Sequence, residues 1–151
     1  MALGTVLTFW PALLFTYLEP IALLLGWRSA FTEPSDFVTK QAPTTSLSPV
    51  PTGALILSYT TGNIYFLLAA LAVLCTAITR ESRVAKWYLF MVAMADLGHI
   101  YSSYKGMGQE AFLNFNDYTD LMWGNIGVSA FLHVNRIATV LGVFGRIGPK
   151  A

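Results

Sequence analysis

The chain has 151 residues, of which 55% are hydrophobic and 11% are charged. Soluble domains carry about 25% charged residues, so a soluble globular domain is nearly excluded, because its surface would be too apolar to stay dispersed. The net charge of +1 provides no basic field for nucleic acid, and a single cysteine, Cys75, excludes an intrachain disulfide framework. The composition therefore predicts a small integral membrane protein.

Four apolar stretches are each long enough to cross about 30 Å of hydrocarbon, which takes roughly 20 helical residues. They lie at about 3–25, 54–79, 87–104 and 121–144. The first differs from a signal peptide, because no Lys or Arg precedes it and it carries Glu19 and Pro20 near its end. The sequence therefore predicts one all-α domain over residues 1–151, an integral membrane four-helix bundle.

The segments between the spans indicate the orientation of the bundle. Residues 27–53 are rich in Pro, Thr and Ser, which predicts a long irregular loop between the first two helices. One side of the bundle has five cations: Arg80, Arg83, Lys86, Arg146 and Lys150. The other side has three: Arg28, Lys40 and Lys105. The positive-inside tendency then places both termini in the cytosol and the long loop in a lumen, with the endoplasmic reticulum as the default membrane.

Ionisable side chains inside membrane spans are costly, so each is a candidate for function. The obvious ones are Glu19 in the first span, Asp96 and His99 in the third, and Arg136 in the fourth. At a rise of about 1.5 Å per residue, Asp96 and Arg136 lie about 12–14 Å from the cytosolic end, His99 about 16–18 Å, and Glu19 near 24 Å. We therefore expect a polar column from mid-bilayer to the lumenal mouth.

Asp96 and His99 are three residues apart and share one face of the third span. In that position Asp96 would raise the basicity of the imidazole or fix its tautomer. Alternatively, Asp96 only neutralises Arg136 at the same depth and locks the third and fourth spans together. Both interpretations stay open, and the second leaves a role for His99.

Glu19 precedes Pro20, which lacks an N–H and cannot bond the carbonyl of Thr16. This pattern predicts a kink in the first span with a polar pocket beside the carboxyl group. A carboxyl buried there is expected to stay protonated at neutral pH and to act as a general acid. The alternative is that Glu19 hydrogen-bonds Asn63 or Trp123 and only pins the helices.

Other polar and aromatic side chains would bind a substrate or orient the acids, through hydrogen bonds or through π-faces that stabilise a cation. The predicted substrate-binding residues are Asn63, Tyr65, Tyr101, Trp123, Asn125 and Arg136. For Tyr65 and Trp123, an interfacial aromatic belt is an equal alternative. Phosphate-loop, nucleophile-elbow and zinc-protease patterns are absent, and two histidines do not predict a metal site, so no metal and no cofactor are expected.

Three short motifs carry a resemblance to a known family: YLEP (Tyr17 to Pro20), ADLGHIYS (Ala95 to Ser102) and WGNIG (Trp123 to Gly127). With Arg136 downstream, they resemble a fungal domain-of-unknown-function family of small four-span membrane proteins. More distantly, the layout resembles the emopamil-binding/sigma-2 (EXPERA-like) proteins and the fungal membrane-bound meroterpenoid cyclases. That resemblance implies intramembrane acids, here Glu19 and Asp96 with His99 as proton partner, which protonate an alkene or open an epoxide. Those cyclases have more spans than this chain, which argues against a complete cyclase pocket in one protomer.

These features predict a cofactor-free membrane enzyme that performs acid–base chemistry on a hydrophobic secondary-metabolite intermediate, such as an epoxidised polyketide or terpenoid. It would be a cyclase, an isomerase or an epoxide hydrolase, with Glu19, Asp96 and His99 as catalytic residues. One alternative is a non-catalytic sterol- or lipid-binding membrane protein, and another is a structural or channel subunit. The expected partners are the membrane and a lipid-soluble small molecule, not nucleic acid, and the small size allows a homo-oligomer.

Overall fold

The computed structural model describes residues 3–43 and 48–148, and this part of the chain is helical with no β-strand. Its helices are α1 (Phe9–Thr32), α2 (Pro34–Thr39), α3 (Thr52–Ile78), α4 (Ser82–Leu113) and α5 (Asp120–Val140). A 3-10 turn, Phe115–Asp117, joins α4 to α5. Gly108 breaks the last part of α4 with a φ of 83°, a left-handed conformation that glycine adopts without steric cost. The all-α prediction is confirmed for the described residues.

The four long helices form two antiparallel pairs, α1 with α3 and α4 with α5. Small side chains permit the close approach of α1 and α3. A Cβ added at Gly62 would lie 2.7 Å from ring carbons of Phe31 and 3.2 Å from the Cβ of Ala30. Ser58 Oγ donates to the Ala30 carbonyl at 3.0 Å. The buried face of α3 is therefore its small-residue face, and its larger apolar side chains point outward.

Both ends of the described chain meet at one end of the bundle, which we call the termini end: residues 3–8, 79–81 and 141–148. Arg80 donates to the Gly4 carbonyl at 2.8 Å. The Gly148 N–H donates to the Val6 carbonyl, also at 2.8 Å. These bonds attach the first residues to both the α3–α4 turn and the C-terminal segment.

The helix α1 begins at Phe9, six residues after the predicted start of the first span. Residues 5–7 instead run as non-helical chain and are buried in an apolar core with Phe15 and Leu89. The later start changes the depth of Glu19, which lies ten residues into the helix, or about 15 Å from its beginning. The expected depth near 24 Å rested on a helix that begins at residue 3, and the structure shows the helix beginning at Phe9 instead.

The connection between α1 and α3 is more ordered than the loop predicted for residues 27–53. The helix α1 continues to Thr32, and α2 begins at Pro34, where the missing N–H of proline costs no helical hydrogen bond. Thr119 donates to the Lys40 carbonyl at 2.5 Å, which attaches this connection to the start of α5. A wholly irregular loop was therefore wrong for 27–39, and residues 44–47 lie outside the described part.

Among the described residues, two helices are long and apolar enough to cross a membrane, α1 and α3. The third and fourth predicted spans correspond to α4 and α5, which do not meet that criterion because polar residues lower their average hydropathy. Four membrane crossings therefore remain a prediction, whereas four long helices are a finding.

Candidate functional site

A buried cluster of charged side chains joins three of the long helices. Arg136 on α5 is 1% exposed, and its Nη1 donates to Asp96 Oδ2 on α4 while its Nη2 donates to Glu19 Oε1 on α1. Glu19 is 7% exposed and Asp96 is 9% exposed. We call these three residues the ion cluster. One guanidinium group therefore holds two carboxyl groups from two other helices, at the centre of the bundle.

The direction of helical side chains explains why Asp96 and Arg136 meet. Each side chain leans toward the N-terminus of its own helix, and α4 and α5 run in opposite directions. The two side chains therefore extend toward each other along the helix pair. This pairing is the alternative in which Asp96 neutralises Arg136, and the structure adds Glu19 to it.

A widened helical turn precedes Glu19. Residues Leu13–Leu18 form a π-helical turn, and the Glu19 N–H donates to the Leu14 carbonyl, five residues earlier. Helices adopt such local adjustments around proline, here Pro20, because its ring removes one backbone donor. The sequence predicted a kink beside Glu19 and Pro20, and the irregularity that the structure shows there is this π-helical turn.

The residues before Glu19 connect the ion cluster to its surroundings. The Phe15 ring lies with its centroid 5.2 Å from Arg136 Cζ, within the range of a cation–π contact. Thr16 Oγ1 donates to Thr76 Oγ1 at 2.9 Å, and Thr76 in turn donates to the Ala72 carbonyl at 2.6 Å. The same segment of α1 therefore binds to the cation from α5 and to α3.

Three buried polar atoms have no hydrogen-bond partner within the described part of the chain: Glu19 Oε2, Arg136 Nε and the Tyr88 hydroxyl. Tyr88 lies two turns before Asp96 on α4 and packs against the apolar core that includes Phe15. Each unpaired buried group costs about 1–3 kcal/mol. Such buried groups are satisfied by ordered water or by a polar ligand group, so these three atoms are candidates for such a contact.

Tyr88 was not among the predicted site residues. The signal that identifies it is its spacing, since positions 88, 92 and 96 recur every four residues and share one face of a helix. His133 on α5 places its Nδ1 2.8 Å from the Ala93 carbonyl oxygen on α4.

The predicted residues His99 and Asn125 form a second polar group, which extends toward the end of the bundle opposite the termini. The His99 side chain lies beside Asn125. Asn125 Nδ2 donates to Gln41 Oε1 at 2.7 Å. Asp96 accepts its hydrogen bond from Arg136, and within the described residues no hydrogen bond joins Asp96 to His99. The structure therefore shows the alternative in which Asp96 pairs with Arg136, and it places His99 beside an amide pair that reaches the α2–α3 connection at Gln41.

The remaining predicted binding residues lie outside the ion cluster. Asn63, Tyr101 and Trp123 are exposed, and Tyr65 is half-buried, with its ring against Gly26. Glu19 bonds Arg136 and takes neither Asn63 nor Trp123 as partner. This corrects the expected polar column, which becomes one compact cluster and one separate histidine–amide group.

Metal-binding geometry is not found in the described residues, since no three His, Cys, Asp or Glu side chains are grouped to hold an ion. The fold and the site define a small all-helical protein with a buried ion cluster across three helices. The chain belongs to the DUF7704 family, a domain of unknown function, whose sequence profile matches residues 4–146. The match includes the four long helices and the whole ion cluster. No curated protein and no solved structure matches the chain.

Proposed function

We propose that the chain is a membrane-embedded acid–base enzyme that acts on a lipid-soluble substrate, with the ion cluster as its proton-transferring site. The observation that carries this proposal is the state of Glu19. One of its oxygens is bound by Arg136, while the other is buried and without a partner among the described residues. A carboxyl group with one free, desolvated oxygen beside a fixed cation is suited to hold and deliver a proton.

The membrane part of this proposal rests on the outer faces of α4 and α5. Large apolar side chains recur at helical spacing on α4: Trp87, Met91, Met94, Leu97 and Tyr101, all exposed. On α5 the corresponding exposed residues are Val128, Phe131 and Val134. Met91 and Val134 are 62% and 64% exposed, which is typical of a surface that contacts lipid or a partner rather than water.

The average hydropathy of α4 and α5 is lower than the hydropathy of their outer faces. Asp96 and Arg136 lower the average, but both are buried inside the bundle and never meet the surrounding medium. The outward surface of α4 and α5 is therefore comparable in character to that of α1 and α3. We infer four crossings, with the termini end and its cations in the cytosol and the endoplasmic reticulum as the default membrane.

The charges of the ion cluster support a proton-transfer role. Two carboxylates and one guanidinium leave one negative charge without a partner when all are ionised. In a low-dielectric site such a charge is costly, so the neutral cluster holds one proton. We place this proton on Glu19 Oε2, because Oε1 is bound to Arg136. Asp96 then stays ionised and holds the guanidinium group in position.

The reaction that these groups suit is the opening of an epoxide or the protonation of an alkene. Glu19 gives its proton to the epoxide oxygen, the carbon–oxygen bond breaks, and a nucleophile attacks the carbon. Arg136 stabilises the carboxylate that remains on Glu19. The nucleophile releases one proton, which His99 accepts and which returns to the Glu19 carboxylate before the next turnover. His99 lies about 4.5 Å further along the α4 axis than Asp96. A substrate hydroxyl as nucleophile gives a cyclic isomer, and water gives a diol. The substrate class is a hydrophobic intermediate such as an epoxidised polyketide or terpenoid.

The test is turnover of a prenylated aromatic compound with a terminal epoxide, presented to the full chain in liposomes in oxygen-18-labelled water. A product that carries the label reports hydrolysis, and one of unchanged mass reports cyclisation or isomerisation. Glu19→Gln keeps an oxygen for Arg136 but has no proton to give, so the rate should fall by about 10²–10⁴-fold. The matched control is Glu33→Gln, an exposed position just after α1. Wild-type turnover by a folded Glu19→Gln variant would refute the proposal.

A specific observation also favours the second candidate, a non-catalytic sterol- or lipid-binding protein. Both carboxyl groups already bind Arg136, and the Tyr88 hydroxyl and Arg136 Nε are donors suited to the hydroxyl or carbonyl of a ligand. Under this candidate, a sterol extracts from the purified chain unaltered, and Tyr88→Phe reduces the amount recovered. Glu19→Gln would then change no product, which separates it from the enzyme.

A further inference from the structure

A basic cleft opens at the termini end, outside the ion cluster. Its volume is about 470 Å³, and it lies between the first turn of α4 and the last turn of α5. Three cations line it: Arg83 and Lys86 from α4, and Arg146 from the C-terminal segment. The hydroxyl-bearing residues Ser82 and Thr139 complete its polar wall.

The three cations of the cleft have no carboxylate partner within the described residues. The ion pairs found among the described residues join Lys40 to Asp36, and Arg136 to Glu19 and Asp96. Like charges that line one cleft repel one another, and an anion placed between them removes that repulsion. The charge of the cleft is therefore complementary to an anionic group.

The N-terminus of α4 adds a second positive feature to the cleft. No side chain caps its first turn, so the positive end of this long helix faces the region of Ser82 and Arg83. Backbone N–H groups at such a helix start bind phosphate oxygens readily. The cleft thus combines a helix start, cationic side chains and hydroxyl groups, which together fit a phosphate group.

We propose that this cleft binds the phosphate headgroup of an anionic phospholipid. Apolar side chains beside the cleft favour a lipid over a soluble phosphate compound. Val84, Leu141 and Val143 are exposed, with Leu141 at 76%, and they provide a surface for acyl chains while the headgroup occupies the cleft. The proposal rests on the membrane placement argued above, and it is independent of the proton chemistry of Glu19.

The experiment uses the full chain in a non-ionic detergent, titrated with short-chain phosphatidic acid and followed by native mass spectrometry. Phosphatidylcholine with the same acyl chains is the zwitterionic comparison, and glycerol 3-phosphate is the soluble phosphate. Arg83→Gln and Arg146→Gln remove cleft cations. The matched control is Arg28→Gln, which removes an exposed cation from α1 toward the other end of the bundle.

We expect wild-type protein to bind phosphatidic acid more tightly than phosphatidylcholine. Each cleft substitution should weaken that binding about fivefold, the effect of about 1 kcal/mol per cation near a lipid surface, and Arg28→Gln should leave it unchanged. Equal binding of the two lipids overturns the proposal, as does an equal loss in the Arg28→Gln control. If an equal concentration of glycerol 3-phosphate displaces the lipid, the cleft recognises a soluble phosphate compound, and the proposal of a lipid headgroup is overturned. None of these outcomes alters the Glu19→Gln test.

Discussion

Replacing Arg136 with glutamine removes the cation that two buried carboxyl groups share. In the wild-type chain the guanidinium group donates to Asp96 and Glu19 through separate nitrogens and neutralises the Asp96 carboxylate, and all three side chains are shielded from solvent. Glutamine supplies an amide with no charge, so Asp96 loses its counter-ion and both carboxyl groups lose the donor that holds them. We expect Arg136→Gln to be among the most destabilising single substitutions in the chain.

The magnitude follows from the burial of the pair. Breaking a buried ion pair by removing one partner costs about 3–5 kcal/mol, because the other charge is left without compensation. The cation–π contact with Phe15 is lost as well, which adds about 0.5–2 kcal/mol. At about 2–4 °C per kcal/mol for a domain near 150 residues, 3–5 kcal/mol lowers the melting temperature by roughly 6–20 °C.

The measurement uses Cys75, the single cysteine of the sequence, which is partly buried in α3. A thiol-reactive fluorogenic dye labels Cys75 as the detergent-solubilised chain unfolds during heating. Arg28→Gln is the control, because its side chain is exposed and such substitutions change stability by about 0.5 kcal/mol or less. A melting temperature for Arg136→Gln within about 2 °C of wild type would show that the ion cluster does not hold the helices together.

Comparing the loss of stability in three variants tests whether Asp96 and Glu19 share the cation. Asp96→Asn leaves Arg136 and Glu19 as a balanced pair, so it should be less destabilising than Arg136→Gln. The double variant Glu19→Gln with Asp96→Asn leaves the guanidinium group buried without a counter-ion and should again be severely destabilised. Equal losses for all three variants would contradict a shared cation.

Two further predictions concern the contact of α1 with α3. Gly62→Leu should destabilise the chain by about 1–3 kcal/mol, because the new side chain overlaps Phe31, whereas Gly53→Ala has open space and serves as control in the same melting assay. Thr76→Val should cost about 1–3 kcal/mol, since Thr16 loses its acceptor. Adding Thr16→Val to that variant should recover part of the loss, and a further loss instead would show that the hydroxyl pair is not coupled.

The helical architecture was predictable because a backbone surrounded by apolar material satisfies its polar groups locally only as a helix. The predicted span 54–79 nearly coincides with α3, Thr52–Ile78. The span 87–104 is shorter than α4, Ser82–Leu113, because apolarity marks the part of a helix in an apolar environment and not where the helix ends. Residues 3–8 were predicted to be part of the first helix, but they precede it. Hydropathy does not distinguish an apolar coil from an apolar helix.

The ion cluster was predictable only in part. The pairing of Asp96 with Arg136 follows from their depth on adjacent antiparallel helices. The participation of Glu19 did not follow from the sequence. The predicted helix start was six residues too early, which displaced the expected position of Glu19 by about 9 Å along the axis of α1. Asn63 was expected inside because it is polar, but α3 is apolar around most of its circumference, and its small residues, such as Gly62, decide which face packs.

The shared cation also has a consequence for biosynthesis. Arg136 follows Glu19 by 117 residues, so at about 5–20 residues per second a ribosome takes roughly 6–23 s to supply it after Glu19 is made. In the proposed membrane arrangement, α1 and α4 enter the bilayer with acids whose counter-ion has not yet been synthesised. In that arrangement, we expect a chain that stops before α5 to present two intramembrane acids without a counter-ion, and its stability to depend on the arrival of Arg136 with the last helix.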